Sequence, residues 1–218
     1  MRIRNVGIVV WCCMLIASAA VPARAEGLNK EELAYFADIA LGAEYGNQVK
    51  VIKKWMSDIT ISVQGKPTAE DMRTLKQVVL ELNLLVVPAL RISLIERDGN
   101  IQFHFIPESR FSEVVSGYVP TNLGFFWVWW NNRYEIYQAT VLITTKGVTQ
   151  KERNHLIREE LTQSLGLMND SYQYKDSIFY QGWTATQRYA EIDKKLIRFL
   201  YQRTITSGMT RAQIRAMR

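Results

Sequence analysis

The stretch Glu159-Glu160-Leu161-Thr162-Gln163-Ser164-Leu165-Gly166-Leu167-Met168-Asn169 decides how the rest of the chain is read. It closes a segment, Thr149 to Leu167, whose apolar residues recur with a helical period. With a turn of about 100° per residue and Ile157 as origin, Leu161, Ser164, Leu165 and Met168 fall within about 80° of it and form a core stripe. His155, Glu159, Thr162, Gln163 and Gly166 fall on the opposite side. Glu160 belongs to neither group. It projects beside Leu156, between Ser164 and Leu167, on the edge of the stripe. A carboxylate there reaches a partner, has its pKa raised by loss of hydration, or sits at the rim and points into water.

The same residues resemble the signature of the metzincin zinc proteases, His-Glu-x-x-His-x-x-Gly-x-x-His. In that frame two ligands one helical turn apart reach one metal and the Glu between them deprotonates a water. The Gly then ends the helix so that a third ligand returns. Glu160 and Gly166 stand at the Glu and Gly positions, and Glu159, Gln163 and Asn169 replace the three histidines. Amide oxygens are poor zinc ligands, so the resemblance implies a zincin-like domain that has lost its zinc. With Asp170 added, the donor set suits at most weak calcium binding, and a polar helix face with no metal is the plainer expectation. His155 and His104 are the only histidines. His155 lies one turn before Glu159 and reads as its surface ion-pair partner. His104 alternates with Phe103 and Phe105 and reads as structural.

The resemblance continues downstream. Ser177-Ile178-Phe179-Tyr180 is similar to the loop that carries the methionine turn beneath the zinc, with Phe179 near the Met position. Ile192-Asp193, Ile197 and Leu200-Tyr201 resemble the closing helix of matrix metalloproteases. The chain also resembles a family of uncharacterised exported bacterial proteins. Their pattern is an E-E-x-x-Q helix followed by N-D-S (Asn169–Ser171) and S-I-F-Y, with Tyr45-Gly46, Lys54-Trp55, the Asp58–Val63 strand and Gly208-Met209-Thr210 further out. The implied fold is α+β and zincin-like, a mixed β-sheet with an active-site-type helix and C-terminal helices.

Working outward to the start, Met1-Arg2-Ile3-Arg4-Asn5 is basic, Val6 to Val21 is apolar, and Ala23-Arg24-Ala25 is a small-x-small site. This is the pattern of a secretory signal cut after Ala25, leaving residues 26–218 as a single domain in the periplasm or outside the cell. The apolar run is shorter than the roughly 20 residues that span a bilayer, so no stable membrane insertion is expected after cleavage. Cys12 and Cys13, the only two cysteines, lie in that segment, which removes disulfide and thiolate chemistry from the mature chain. Arg2, Arg4 and Arg24 also lie there, so much of the formal net charge of +6 goes with them, and with it the support for a nucleic-acid-binding face.

Between these ends the sequence predicts a helix capped by Asn29 and running to about Leu41, then strands over Val49–Trp55 and Asp58–Val63. A helix opened by the Thr68…Asp71 capping box runs to about Leu84. Arg91–Glu96 and Ile101–Ile106, joined by Asp98-Gly99-Asn100, read as a hairpin. Phe125–Trp130 and Glu135–Thr145 form another strand pair, with helices over Thr186–Tyr201 and after Gly208. Phe125-Phe126-Trp127-Val128-Trp129-Trp130 is apolar on both faces, which suits a strand packed on both sides or an aromatic wall of a binding groove.

Three functions stay open on these residues. The first is a non-catalytic module binding a peptide or cell-envelope polymer against Val141–Thr145, with Trp127, Trp129, Trp130, Phe179, Tyr180 and Trp183 as substrate-binding candidates and His155, Glu159, Gln163, Asn169 and Asp170 as cleft positions. The second is a hydrolase with Glu160 as general acid or base. The third is a structural envelope protein. Motifs of serine hydrolases, phosphate-binding loops and dinucleotide folds are absent.

Overall fold

The computed structural model describes residues 27–42 and 49–217. The expected signal with its cleavage point, and the Tyr45-Gly46 pair, lie outside the described residues. The chain runs α1 (Lys30–Leu41), β1 (Lys54–Trp55), β2 (Ile59–Gly65), α2 (Ala69–Val86), β3 (Ile92–Ile95), β4 (Ile101–Ile106), α3 (Phe111–Val114), β5 (Gly124–Trp130), β6 (Glu135–Thr144), α4 (Gln150–Gln163), α5 (Glu191–Leu200) and α6 (Arg211–Arg215). The fold is thus a mixed sheet with helices. Among the described residues no helix is long and apolar enough to cross a membrane.

Helix starts follow their sequence signals. Asn29, Thr68 and Thr149 each close a capping box with the acidic residue three positions on, which satisfies first-turn amides of these helices. Of the expected Val49–Trp55 strand only Lys54–Trp55 pairs along a neighbour, and Val51 makes an isolated bridge to Thr210. The expected helix from Thr186 begins only at Glu191, because the Asp193 carboxylate caps the amide of Ala190 at 2.8 Å.

β3, β2, β4 and β6 are neighbours in that order and all parallel; β5 pairs antiparallel on the far side of β6, and β1 pairs the first residues of β6. The expected hairpin of Arg91–Ile106 is therefore incorrect: β2 lies between β3 and β4. β3 ends level with Ser62 and β4 starts level with Ile61, so the intervening residues step across β2. The signal that suggested a hairpin serves this crossing. The Asn100 side chain accepts from Thr60 N at 2.7 Å and donates to Asp58 O at 3.0 Å. A Cβ on Gly99 would overlap the Ser62 amide, so only glycine lets the two backbones cross.

The alternation of β5 holds as read. Phe126, Val128 and Trp130 join the main core, together with Val141 and Ile143 of β6 and the apolar faces of α1, α2, α4 and α5. Phe125 and Trp127 join a second cluster on the other face, with Ile106, Phe111, Val115 and Leu142. β6 lies between β4 and β5, so Val141–Thr145 is not a sheet edge; among the described residues β5 and β3 each pair on one side only.

α4 is enclosed on nearly every side over its second half. Residues 155–158 and 160–163 are all buried, including His155, Thr162 and Gln163 on the side expected to face water. That side is covered by α2 and by the segment leading into α5. Gln150 donates to buried Asp71 at 2.7 Å, Arg153 pairs with Asp71 at 3.1 Å, and Arg158 pairs with Glu81 and lies over the Tyr189 ring. Burial of these charges is tolerated because each has a partner.

Candidate functional site

The second half of α4 forms one wall of a cleft of about 310 Å³. Residues 121–124, which lead into β5, form a second wall, and Asp170 with residues 180–184 forms a third. The local folding that makes it is specific. α4 stops at Gln163, the next residues curl, and Gly166 takes φ +118°. A Cβ there would overlap the carbonyl oxygen of Lys53. The chain then doubles back and Asp170 returns to α4, where its Oδ1 accepts from Gln163 Nε2 at 2.7 Å.

His155, Glu159, Glu160, Gln163, Asp170, Tyr180 and Trp183 all line this cleft. Glu160 is buried, and its side chain lies against Gly124, where a Cβ would overlap Oε1 and come within 2.9 Å of Cγ. The glycine at the start of β5 therefore gives this carboxylate its room. Trp183 is exposed and donates Nε1 to Glu152 at 3.1 Å. Tyr180 stands edge-on to Tyr172.

The other candidates are elsewhere. Asn169 turns to α1, donating Nδ2 to the carbonyl of Asp38 at 3.2 Å and packing on Gly42, so Asp170 rather than Asn169 stands opposite Gln163. Phe179 is fully buried in the main core. Trp127 packs on the far face of the sheet against Gly117, and Trp130 faces the main core beneath the Lys53 ammonium. Trp129 sits beside the β-bulge at the end of β5. None of these lines the cleft. Sequence reasoning missed Asn122, Gly124 and Thr184. Only Gly124 carried a signal, as a glycine opening a strand where another group approaches.

His155 is not a surface residue. It faces Glu159 Oε2 at 3.3 Å with both side chains largely buried, and its Nδ1 lies 2.9 Å from the carbonyl of Thr186. Burial alone lowers its pKa, but the hydrogen bond and charge of Glu159, helped by the Thr186 carbonyl, outweigh burial and the nearby Arg158, leaving it raised above 6.5. Both ring nitrogens thus face acceptors, which favours the imidazolium.

Asp193 ties the loop beneath the cleft to α5. Its Oδ1 accepts from Ser177 Oγ at 2.5 Å and its Oδ2 from Ile178 N at 3.1 Å, while Ser177 Oγ also meets Tyr35 OH at 3.1 Å. Burial pushes the Asp193 carboxyl up to about 6 in spite of these donors.

A family model described as protein of unknown function (DUF2927) matches residues 29–217, nearly all of the described chain. The chain belongs to the DUF2927 family. No curated protein matches it. Two solved structures of myroilysin are similar to this DUF2927 chain. One is 15% identical, with a TM-score of 0.43, covering 69% of this chain and 83% of its own. The other is 13% identical, with a TM-score of 0.48, covering 82% and 98%.

Zinc, which the metzincin frame implies, does not fit the residues this DUF2927 chain presents. Gln163 is committed to Asp170 and Asn169 to α1, and His155 has Nδ1 on a carbonyl. Among the described residues no three His, Cys, Asp or Glu side chains are placed to share a metal. The four oxygen donors considered for calcium do not converge either, because Asn169 points away.

The raised His155 pKa gives a testable sign. A histidine whose folded pKa exceeds its unfolded value stabilises the fold fully below about 6.5, and that contribution is lost as pH rises through the folded value. The Asp193 contribution falls in a separate window, from 3.8 to about 6. Melting temperature is therefore expected to decline as pH rises above about 6.5, and the decline should be absent in His155→Gln. Parallel curves for the two proteins would remove the charged pair from the account.

Proposed function

We propose that this chain is an exported, zincin-like domain that no longer holds zinc and binds an extended polypeptide in its cleft without cutting it. The observation that carries the reading is the placement of the buried Glu160 carboxylate against Gly124, at the start of β5, an edge strand of the sheet among the described residues. An open strand edge offers a row of backbone donors and acceptors to a further strand, and side-chain pockets beside it select the sequence. Support for the zincin-like frame comes from the order of parts. These are a helix with Glu160, a left-handed Gly166 turn, a returning Asp170, a buried loop at Ser177–Phe179, and a closing helix tied to that loop by Asp193. The non-catalytic reading is supported by the ligand positions, where Gln163 and Asn169 have their amides on other partners and Glu159 faces His155.

The cleft also suggests the ligand's charge. Glu159, Glu160 and Asp170 line it with His155 as the one lining cationic group, which faces Glu159, so the walls keep an acidic excess. A peptide carrying basic side chains is matched to such walls. Hydrogen exchange tests the binding mode. Adding an extended Lys-rich peptide is expected to slow exchange of the amides of residues 124–130, with no such effect from a Glu-rich peptide, and the result should be unchanged by a chelator. Protection confined to other segments, or loss of binding with chelator, would sink this reading. Export is tested separately: N-terminal sequencing of the protein recovered from the producing cell's envelope should begin at Glu26, and a retained Met1 would refute it.

A further inference from the structure

A second and larger groove, about 730 Å³, lies on the other side of α4, between α2, α5 and the Gln187–Tyr189 segment. Its charge is opposite to that of the cleft. Arg158 is neutralised by Glu81 and holds the Tyr189 ring, so it belongs to the fold. Arg188 and Arg198 are exposed at the groove and form no salt bridge among the described residues. Arg73 meets Glu70 at only 3.7 Å, with both side chains exposed, a pairing of little energetic consequence.

The α2 wall adds a second feature. Leu80, Leu84 and Val87 follow at helical spacing and are 67%, 76% and 65% exposed, and Leu84 lines the groove. Leu84 thus continues an exposed aliphatic strip into a groove that also carries exposed guanidinium groups, an amphipathic surface of the kind that suits a partner. The groove is too large for a single anion and falls within the range of sites that hold organic ligands.

We propose that this groove docks an acidic polypeptide segment carrying aliphatic side chains, a site separate from the β5 cleft. Guanidinium forks on Arg73, Arg188 and Arg198 pair with carboxylates in two-point geometry, which a lysine-lined surface would not favour. Leu80, Leu84 and Val87 take the apolar side of the same segment, the arrangement of an amphipathic helix lying in a groove. The charge match fixes the occupant: a basic segment is repelled here, and a simple polyanion makes no use of the aliphatic strip.

The test uses a fluorescein-labelled Asp/Glu peptide with leucines at helical spacing, its Gln counterpart and its Lys counterpart, titrated by anisotropy. The acidic peptide should bind, more weakly at higher salt, and the other two should not. Arg188→Glu combined with Arg198→Glu should weaken binding by about tenfold or more, and Leu84→Ser by about threefold or more, with melting curves unchanged because these side chains are exposed. Binding of a Lys-rich peptide at the β5 cleft should survive both changes, so failure of one site is told apart from failure of the other. Equal affinity for the Gln peptide, or an undiminished affinity in the arginine double variant, would overturn the proposal. So would anionic vesicles or polyphosphate competing for the site with Leu84→Ser having no effect.

Discussion

Gly166→Ala should lower unfolding free energy by about 3 kcal/mol or more, among the largest losses expected from any single added methyl in this chain. Two costs combine there. At φ +118° an L side chain is strained whatever the space around it, which contributes on the order of 1–2 kcal/mol. The added Cβ would also overlap the Lys53 carbonyl oxygen and approach Leu200 Cδ2 at 3.4 Å, and overpacking of this kind costs about 1–3 kcal/mol. The backbone of Lys53 cannot yield easily. Its neighbour Lys54 is buried and donates to Leu200 O at 2.7 Å and Ile205 O at 2.9 Å, which locks this segment to the C-terminal part of the chain. Gly147 supplies the control, since it has φ +78° but nothing within 4 Å of an added Cβ. Gly147→Ala should therefore show the backbone cost alone. Melting temperature should fall by roughly 6–12 °C for Gly166→Ala and by markedly less for Gly147→Ala. Equal shifts in the two variants would mean that the contact with Lys53 contributes nothing.

Much of the site was legible because helical spacing is rigid. Once Glu159, Glu160 and Gln163 are placed on one helix and Gly166 at its end, the side chains that share a wall follow from about 3.6 residues per turn. The caps at Asn29 and Thr68 were legible for a similar reason, since each depends on residues a few positions apart. What the sequence could not supply was the partner across space. His155 and Thr162 read as solvent-facing because the wheel knows only its own helix; Thr186 and Tyr189, which cover them, are far along the chain. Asn169 was placed by counting along the metzincin frame, but the turn at Gly166 swings it to α1 and brings in Asp170. The β3–β4 segment failed for a related reason. Asp98-Gly99-Asn100 fits a tight turn and a tight crossing equally well, and only the presence of β2 beneath Asn100 separates them. The aromatic run of β5 showed its two-sided burial through strict alternation, yet alternation does not say which face borders a cleft.

Glu160→Gln should abolish binding of the extended peptide while the protein still folds, with stability lowered by about 1–3 kcal/mol, the usual cost of mispairing a buried polar group. The replacement keeps the shape of the side chain and removes its charge, so a lost ligand reports on the charge. Gly124→Ala approaches the same carboxylate from the other side. Its Cβ would overlap Glu160 Oε1 and lie 2.9 Å from Cγ and 3.0 Å from Cδ, forcing the side chain out of its place without touching its chemistry. Gly124 needs no left-handed backbone, so the added methyl acts through this contact. Loss of binding in Gly124→Ala should therefore match that in Glu160→Gln. A double-mutant cycle separates this from a general loosening of β5. In a Glu160→Ala background the atoms that obstruct the new methyl are gone, and Gly124→Ala should then cost little further stability, a non-additivity expected of groups in direct contact. If the two substitutions add, the methyl acts on β5 itself and Glu160 is not its target. If peptide binding persists in Glu160→Gln at wild-type affinity, the carboxylate is part of the fold alone. Assays for peptide turnover belong beside these melts. A cleavage activity that disappears only with Glu160→Gln would replace the binding module with a hydrolase using this residue as its acid or base.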